Sequence, residues 1–371
     1  LLILAGLLTT SLVRVLRIEK GFASENVLAI SVRLPPQSYS EPAARMRFFN
    51  EVLAETQKHP GIKAAGWVSQ LPLKGETSVS LIGEEGDPRP VTELPLANYR
   101  YISPGYLDAM GIPIRQGRQF EKNEDGRKLA LVSESLAVRL WPGQNPIGKR
   151  IVATSGEHTI DEVIGVVGDI RTVRLDEPPV LMVYLPDWQR SRSSASLVIR
   201  STIASSALAI SIRDVIQKTD GSVPIVEIVP MANLVSQSVA VRRFQMQLAG
   251  LFAVSALLLA TLGIYGVVAY IVEQRTIEIG IRMALGAQAA DVGRLVLRGG
   301  MTPVAVGLGA GITAAVVAGR LVHSLLYSVS AADPITISGV AIVIMIAAAF
   351  ACYIPARRAM RVDPMVALRY E

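Results

Sequence analysis

Residues 143–150 read GQNPIGKR, close to the GxxxxGK[ST] loop that cradles phosphate on backbone N–H groups. The match fails where the chemistry matters. Arg150 stands where a hydroxyl would bind Mg²⁺, and the RIVA at 150–153 reads as a strand, not as the helix whose N-terminus would hold phosphate. The expected role is a structural turn, and with no second phosphate loop the chain is not expected to hydrolyse ATP. His59, His158 and His323 lie far apart, and the single cysteine, Cys352, sits in an apolar run, so no metal-ligand spacing exists. Glu84, Glu85 and Asp87 could be pictured as paired carboxylates, yet residues 83–90 (GEEGDPRP) read as a solvated loop. With no nucleophile elbow and no triad, a hydrolase has nothing to stand on.

The elements that must carry any function are set by charge-free stretches at 244–272, 299–319 and 334–356. These are roughly 29, 21 and 23 residues long, against about 20 needed to cross the hydrocarbon core as a helix. An Arg or Asp at mid-span costs about 2.5–3.5 kcal/mol, so three such runs are not accidental. Residues 1–13 (LLILAGLLTTSLV) are apolar but too short to span. A signal-peptide core lacks its preceding basic stretch, and Arg14, Arg17, Glu19 and Lys20 follow where a small-residue cleavage site belongs. The segment reads better as the end of a first spanning helix whose beginning is missing. Half the residues are hydrophobic, yet 37 Lys+Arg and 31 Asp+Glu are present. That mixture fits separate regions for lipid and for water. With one cysteine, no internal disulfide is possible. The net charge of +6 gathers at span ends, so it reads as topology and lipid contact and not as nucleic-acid binding.

Between the first and second spans, residues 27–34 (VLAISVRL) alternate as a strand, 41–59 form an amphipathic helix, and 62–69 (IKAAGWVS) a second strand. The order recurs as strand 196–201, helix 205–219 and strand 223–229. Two β-α-β units so far apart suggest one α+β subdomain split by an insertion at about 72–188. Within the insertion, 129–132, 149–153, 161–167 and 180–185 read as strands, and 133–140 as a short helix starting at Ser133. Residues 231–243 should form a helix feeding directly into the second span.

Orientation follows from basic residues in the short connections. Arg275, Arg282, Arg294 and Arg298 lie between the second and third spans, only Arg320 between the third and fourth, and Arg357, Arg358, Arg361 and Arg369 after the fourth. The first and last of these should be cytoplasmic, which puts the large domain outside. Arg14, Arg17 and Lys20 oppose this at the first span. In the third span Gly307, Gly311, Ala315 and Gly319 recur every four residues, a flat stripe for close helix approach within one subunit or between two. No ionisable residue lies deep in the last three spans, which argues against a path for polar cargo.

Residues 273–298 are too polar to insert. Ile277, Ile281 and Leu285 share one helix face, Glu278 can pair with Arg282, and Gly286 supplies a helix stop. A short interfacial helix, continuous with the second span, is expected there. Residues 263–292 (GIYGVVAYIVEQRTIEIGIRMALGAQAADV) resemble the loop of FtsX/MacB-type ABC transporter permeases, and 353–371 (YIPARRAMRVDPMVALRYE) the C-terminus of that family. NVLAISVRLP, PGIKAAGWVSQLPL, YISPGYLDAMGIPIRQGRQF and NPIGKRI resemble the MacB-like periplasmic core domain, and the duplicated acidobacterial-type permeases are the nearest in kind.

The resemblance implies a four-span helical bundle, the first span truncated (1–20), and an α+β extracytoplasmic domain (21–240). That domain is a split ferredoxin-like porter subdomain (21–71 and 189–240) with an inserted β-rich sabre subdomain (72–188). An FtsX-like permease domain (241–371) follows, with spans at about 244–272, 299–320 and 334–356 and a coupling loop at 273–298. Glu278, Gly280, Arg282, Leu285 and Gly286 carry over as the contact with a separate ATPase. Gln288, Ala289 and Ala290 depart from the basic residues often found after the Gly-Ala of this loop. The implied protein sits in the bacterial inner membrane, binds no cofactor itself, and leaves ATP and Mg²⁺ to the partner ATPase. Its other partners would be a second permease unit, membrane lipids and, in some relatives, a periplasmic adaptor. Mechanotransmission linked to export is the implied function. The competing classes are a permease moving an apolar drug or lipid, and a membrane-anchored sensor or scaffold without an ATPase.

Overall fold

The computed structural model describes residues 1–371 except 77, 154–159, 286–287, 322–332 and 361–371. Two compact units form, one from Leu1–Arg17 with Ala240–Glu371 and one from Ile18–Val239. The chain enters through α1 (Leu2–Arg17), and the second unit then begins with β1 (Val27–Arg33), α2 (Pro42–Gln57) and β2 (Ile62–Val68). There follow β3 (Val79–Glu84), β4 (Leu96–Ile102), α3 (Tyr106–Met110), β5 (Ile114–Gly117), β6 (Leu129–Ser133), α4 (Glu134–Leu140), β7 (Arg150–Ala153), β8 (Ile160–Val167) and β9 (Met182–Pro186). The unit closes with β10 (Ser194–Ser201), α5 (Ser205–Thr219), β11 (Ile225–Pro230) and α6 (Met231–Ser238).

The two β-α-β halves meet in one antiparallel layer ordered β11-β1-β10-β2. Both faces of β1 are buried, and its alternation decides which core each residue joins. Leu28, Ile30 and Val32 face Phe49, Val52 and Leu53 of α2 and Leu208, Ile212 and Ile216 of α5. Val27 and Ala29 face the opposite core, shared with Tyr106, Leu107 and Met110 of α3 and Met231 and Leu234 of α6. Trp67 fixes α2 on the sheet: its ring meets Phe49 edge-on at 4.8 Å and its indole N–H donates to the Phe49 carbonyl at 2.9 Å.

The intervening strands close on themselves as β4-β3-β7-β8-β6-β9 and back to β4, with β5 added beside β8. Closure leaves those strands few free edges. The ring joins the layer through one residue pair, Val68 with Ile102. Ser133 heads α4 as the spacing predicts, its Oγ accepting from the Leu136 N–H at 3.4 Å. The expected loop at 83–90 is corrected at its start: Gly83 and Glu84 belong to β3, and Gly83 is buried. β3, β4, α3 and β5 carry no strong periodicity and were not individually legible.

A single helix over 231–243 does not form. α6 ends at Ser238, Val239 leaves helical geometry (φ −107°, ψ 3°), and α7 (Ala240–Gln274) starts afresh. The Ser238 hydroxyl bonds back to the Val235 carbonyl at 2.7 Å, competing with the ladder beside a β-branched residue. The helical unit continues with α8 (Thr276–Ala284), α9 (Ala289–Leu321) and α10 (Pro334–Ala359). Ala240–Gln274, Ala290–Val317 and Pro334–Ala359 are long and apolar enough to cross a membrane. Their exposed residues include Leu251, Phe252, Leu258, Leu259, Leu262, Ile342, Ile346 and Phe350, a surface suited to hydrocarbon and not to water. α1 packs Ile3 and Leu7 against Ile312 and Ala315 of α9 and Ile337 and Val340 of α10.

Candidate functional site

α7 ends where Glu273, Gln274 and Arg275 interrupt the apolar run, and Arg275 turns out of helical geometry (φ −100°, ψ 13°). The break is shallow. The Arg275 N–H still donates to the Ile271 carbonyl at 3.1 Å, the Ile279 N–H to the Arg275 carbonyl at 2.9 Å, and the Thr276 hydroxyl to the Val272 carbonyl at 3.0 Å. Hydrogen bonding therefore runs through the junction, and α8 is a separate short helix continuous with α7, as the sequence suggests.

α8 divides its residues by face. Ile279, 3% exposed, is packed with Val292 of α9 and Ala359 of α10, flanked by Val272, Met283 and Val296. Gly280 is buried on the same side. Ile277, Ile281 and Leu285 are exposed, Leu285 by 83%, and beside them Arg282 bonds Glu278 at 2.5 Å. Of the predicted residues, the structure thus brings Glu278, Arg282 and Leu285 to the outer face and turns Gly280 inward. Gly286 lies outside the described residues. The sequence reading missed Ile279 as the anchor, although the spacing of Ile279 and Met283 carried that signal.

The segment 285–298 is not loop throughout, because α9 begins at Ala289, ten residues ahead of the expected span start at Gly299. Ala289, Ala290, Leu295 and Leu297 favour helix, and Asp291 in the first turn suits the helix dipole. Gly300 permits close packing here: a Cβ there would lie 2.7 Å from Cys352 Sγ and 3.0 Å from Val268 Cγ2. Gly307, Gly311 and Ala315 line an apolar groove of about 500 Å³ that also borders α1, α7 and α10. A Cβ at Gly307 or Gly311 would meet nothing within 4 Å. Gly307 and Gly311 are therefore not consumed by packing among the described residues, whereas Ala315 packs against Ile3 and Leu7 of α1. Gly319 lies in α9, without a described side-chain environment.

The phosphate-loop look-alike is a turn. Gly143 and Gly148 hold positive φ, and Arg150 opens β7. Lys149 is engaged by Glu84 at 3.3 Å and Gln144 at 2.6 Å, and lies over the Trp141 ring at 5.4 Å. Glu85 pairs with Arg150 and Asp87 with Arg89, whose side-chain hydrogen bonds hold the Asp87 carboxyl down at about 2. These acids answer bases and not one another. His158 and His323 lie outside the described residues. Among the described residues no three His, Cys, Asp or Glu gather as a metal site.

Comparison with known proteins places these features. Residues 3–219 match the MacB-like periplasmic core domain, and 250–364 match the FtsX-like permease C-terminal domain. The macrolide export ATP-binding/permease protein MacB of Azoarcus sp. (strain BH72) is 27% identical over 317 residues, covering 79% of this chain and 44% of the relative. The ABC transporter permease YknZ of Bacillus subtilis (strain 168) is 25% identical over 285 residues, covering 73% of this chain and 69% of the relative. The chain thus spans less than half the length of that MacB. The periplasmic region of MacB from Actinobacillus actinomycetemcomitans aligns with a TM-score of 0.40 and 15% identity, over 60% of this chain and 97% of that one. With one domain match over more than half of the chain and the second following it in order, the protein belongs to the FtsX/MacB-like family of ABC transporter permeases.

Proposed function

We propose that the chain is the permease subunit of an ABC export system working by mechanotransmission, a non-catalytic partner to an ATPase that holds ATP and Mg²⁺. The observation that carries this reading is the outward face of α8, where Ile277, Ile281 and Leu285 stand beside the Glu278–Arg282 pair at the end of membrane-spanning α7. An amphipathic helix with apolar anchors and a flanking ion pair suits a groove on another protein. Closure of the ATPase would push α8, and α7 would carry the displacement across the bilayer.

α1 belongs to a fourth span in this reading. The layer β11-β1-β10-β2 and its two helices serve as the split ferredoxin-like porter subdomain, with the closed ring of strands as the inserted sabre. The arginines at 275, 282, 294 and 298 and at 357 and 358 favour a cytoplasmic position for α8, with unit Ile18–Val239 outside an inner membrane. A second permease unit, as a homodimer or as the other half of a longer chain, would complete the assembly, and an adaptor could join it outside. Cysteine labelling tests the reading, after Cys352 is replaced by Ala. An impermeant maleimide should label Leu96→Cys in intact cells and Glu278→Cys only after permeabilisation. Labelling of both from the same side would end the proposal.

A further inference from the structure

A cleft of about 190 Å³ opens between α7, α8 and α9. Its walls are apolar, with Val268 and Ile271 from α7 and Leu295 from α9, while Arg275, Glu278 and Arg282 border it. We propose that an anionic phospholipid of the cytoplasmic leaflet seats here, its phosphate at Arg275 and its uppermost acyl segment against the apolar walls. The inference rests on the orientation proposed above and assigns a lipid to the base of the coupling helix.

Three observations favour this occupant. Charge comes first: Arg282 is answered by Glu278 at 2.5 Å, whereas Arg275 has no ion pair among the described residues, leaving one uncompensated cation. A phosphodiester bearing one negative charge complements it, whereas a zwitterionic headgroup brings a competing ammonium. Depth is the second. Val268 and Ile271 lie within the charge-free run 244–272, and Arg275 follows three residues after it ends, so the mouth sits at headgroup level and the walls at acyl level. The third is space: a Cβ on Gly299 would meet nothing within 4 Å, so the cleft is not closed by its own glycine.

Native mass spectrometry of the purified chain, without ATPase, tests this against an equimolar mixture of phosphatidylglycerol and phosphatidylethanolamine. Phosphatidylglycerol should be retained preferentially. Arg275→Gln should weaken that retention about fivefold, the typical contribution of one basic residue at an anionic surface. Gly299→Leu, which leaves charge unchanged and fills the cleft, should weaken it comparably. Arg357→Gln, outside the cleft, should leave it intact. Equal retention of both lipids, unaltered retention by Arg275→Gln and Gly299→Leu, or an equal loss in Arg357→Gln would overturn the site. So would loss of the lipid when the ATPase is bound, which would assign the cleft to that subunit. Because retention is first measured on the chain alone, a negative result in that arm leaves the coupling reading standing. A failure of opposite-side labelling would instead remove the leaflet assignment.

Discussion

Arg282 reaches Glu278 Oε1 across one turn of α8 at 2.5 Å, with both side chains 48% exposed. An exposed i,i+4 pair contributes only about 0.3–0.5 kcal/mol. Its position matters more than its strength, since it stands on the face that carries Ile281 and Leu285 outward. Glu278→Ala and Arg282→Ala should therefore insert and fold with the parent's thermal transition, while permease-dependent stimulation of the ATPase falls in reconstituted complexes. The charge-swapped double variant Glu278→Arg with Arg282→Glu keeps the pair within α8 but reverses what it presents. Coupling should stay lost. Full recovery would show that the pair only braces its own helix.

Ser133 joins two elements through one oxygen. Its Oγ accepts from the Leu136 N–H in the first turn of α4 and from the Met182 N–H of β9, at 3.4 and 3.0 Å, in a residue 1% exposed. Ser133→Ala would leave a buried strand amide without its acceptor and uncap the helix together. The expected loss is about 1–3 kcal/mol. Denaturant unfolding followed by tryptophan fluorescence should register it, because Trp141 directly follows α4. A loss under 0.5 kcal/mol would contradict the shared role.

What could be read from the sequence followed from whether a signal was local. α5 was expected at 205–219 and forms at Ser205–Thr219, because its apolar positions Leu208, Ile212 and Ile216 repeat at helical spacing. The three spanning runs were equally plain. The closed ring of strands was not, since its closure depends on pairings such as Asn98–Met182 between β4 and β9, 84 residues apart. β5, with all four residues exposed, carries no burial pattern to read. At the candidate site, the outward face of α8 was legible from Ile277, Ile281 and Leu285. The start of α8 after Arg275 was not, because no Gly, Pro or side-chain cap marks it.

The stripe in α9 gives a prediction that separates folding from association. Leucines at 307 and 311 would project into the apolar groove without clashing, given the open space around both glycines. Gly307→Leu and Gly311→Leu should leave the melting temperature of the isolated chain within about 2 °C, since substitutions away from tight packing stay within about 0.5 kcal/mol. If a second permease unit docks along this groove, cross-linking between units should drop in both variants. Undiminished cross-linking would move the interface to another helix face.

Asp187 provides a pH dependence confined to the unit Ile18–Val239. Burial pushes its carboxyl up to about 7, opposed by backbone amide bonds and assisted by Asp125. The unfolded value stays near 4. Between those two values the folded chain binds more protons than the unfolded one, so this group's contribution to stability declines as pH rises from about 4 to about 7. Asp187→Asn removes the titration, and the variant should hold a flatter stability profile over that window than the parent. All three tryptophans, Trp67, Trp141 and Trp188, lie in this unit, so their fluorescence follows its unfolding without signal from the spans. If parent and variant show the same slope between pH 5 and 7, the side chain is solvated and its carboxyl is not raised.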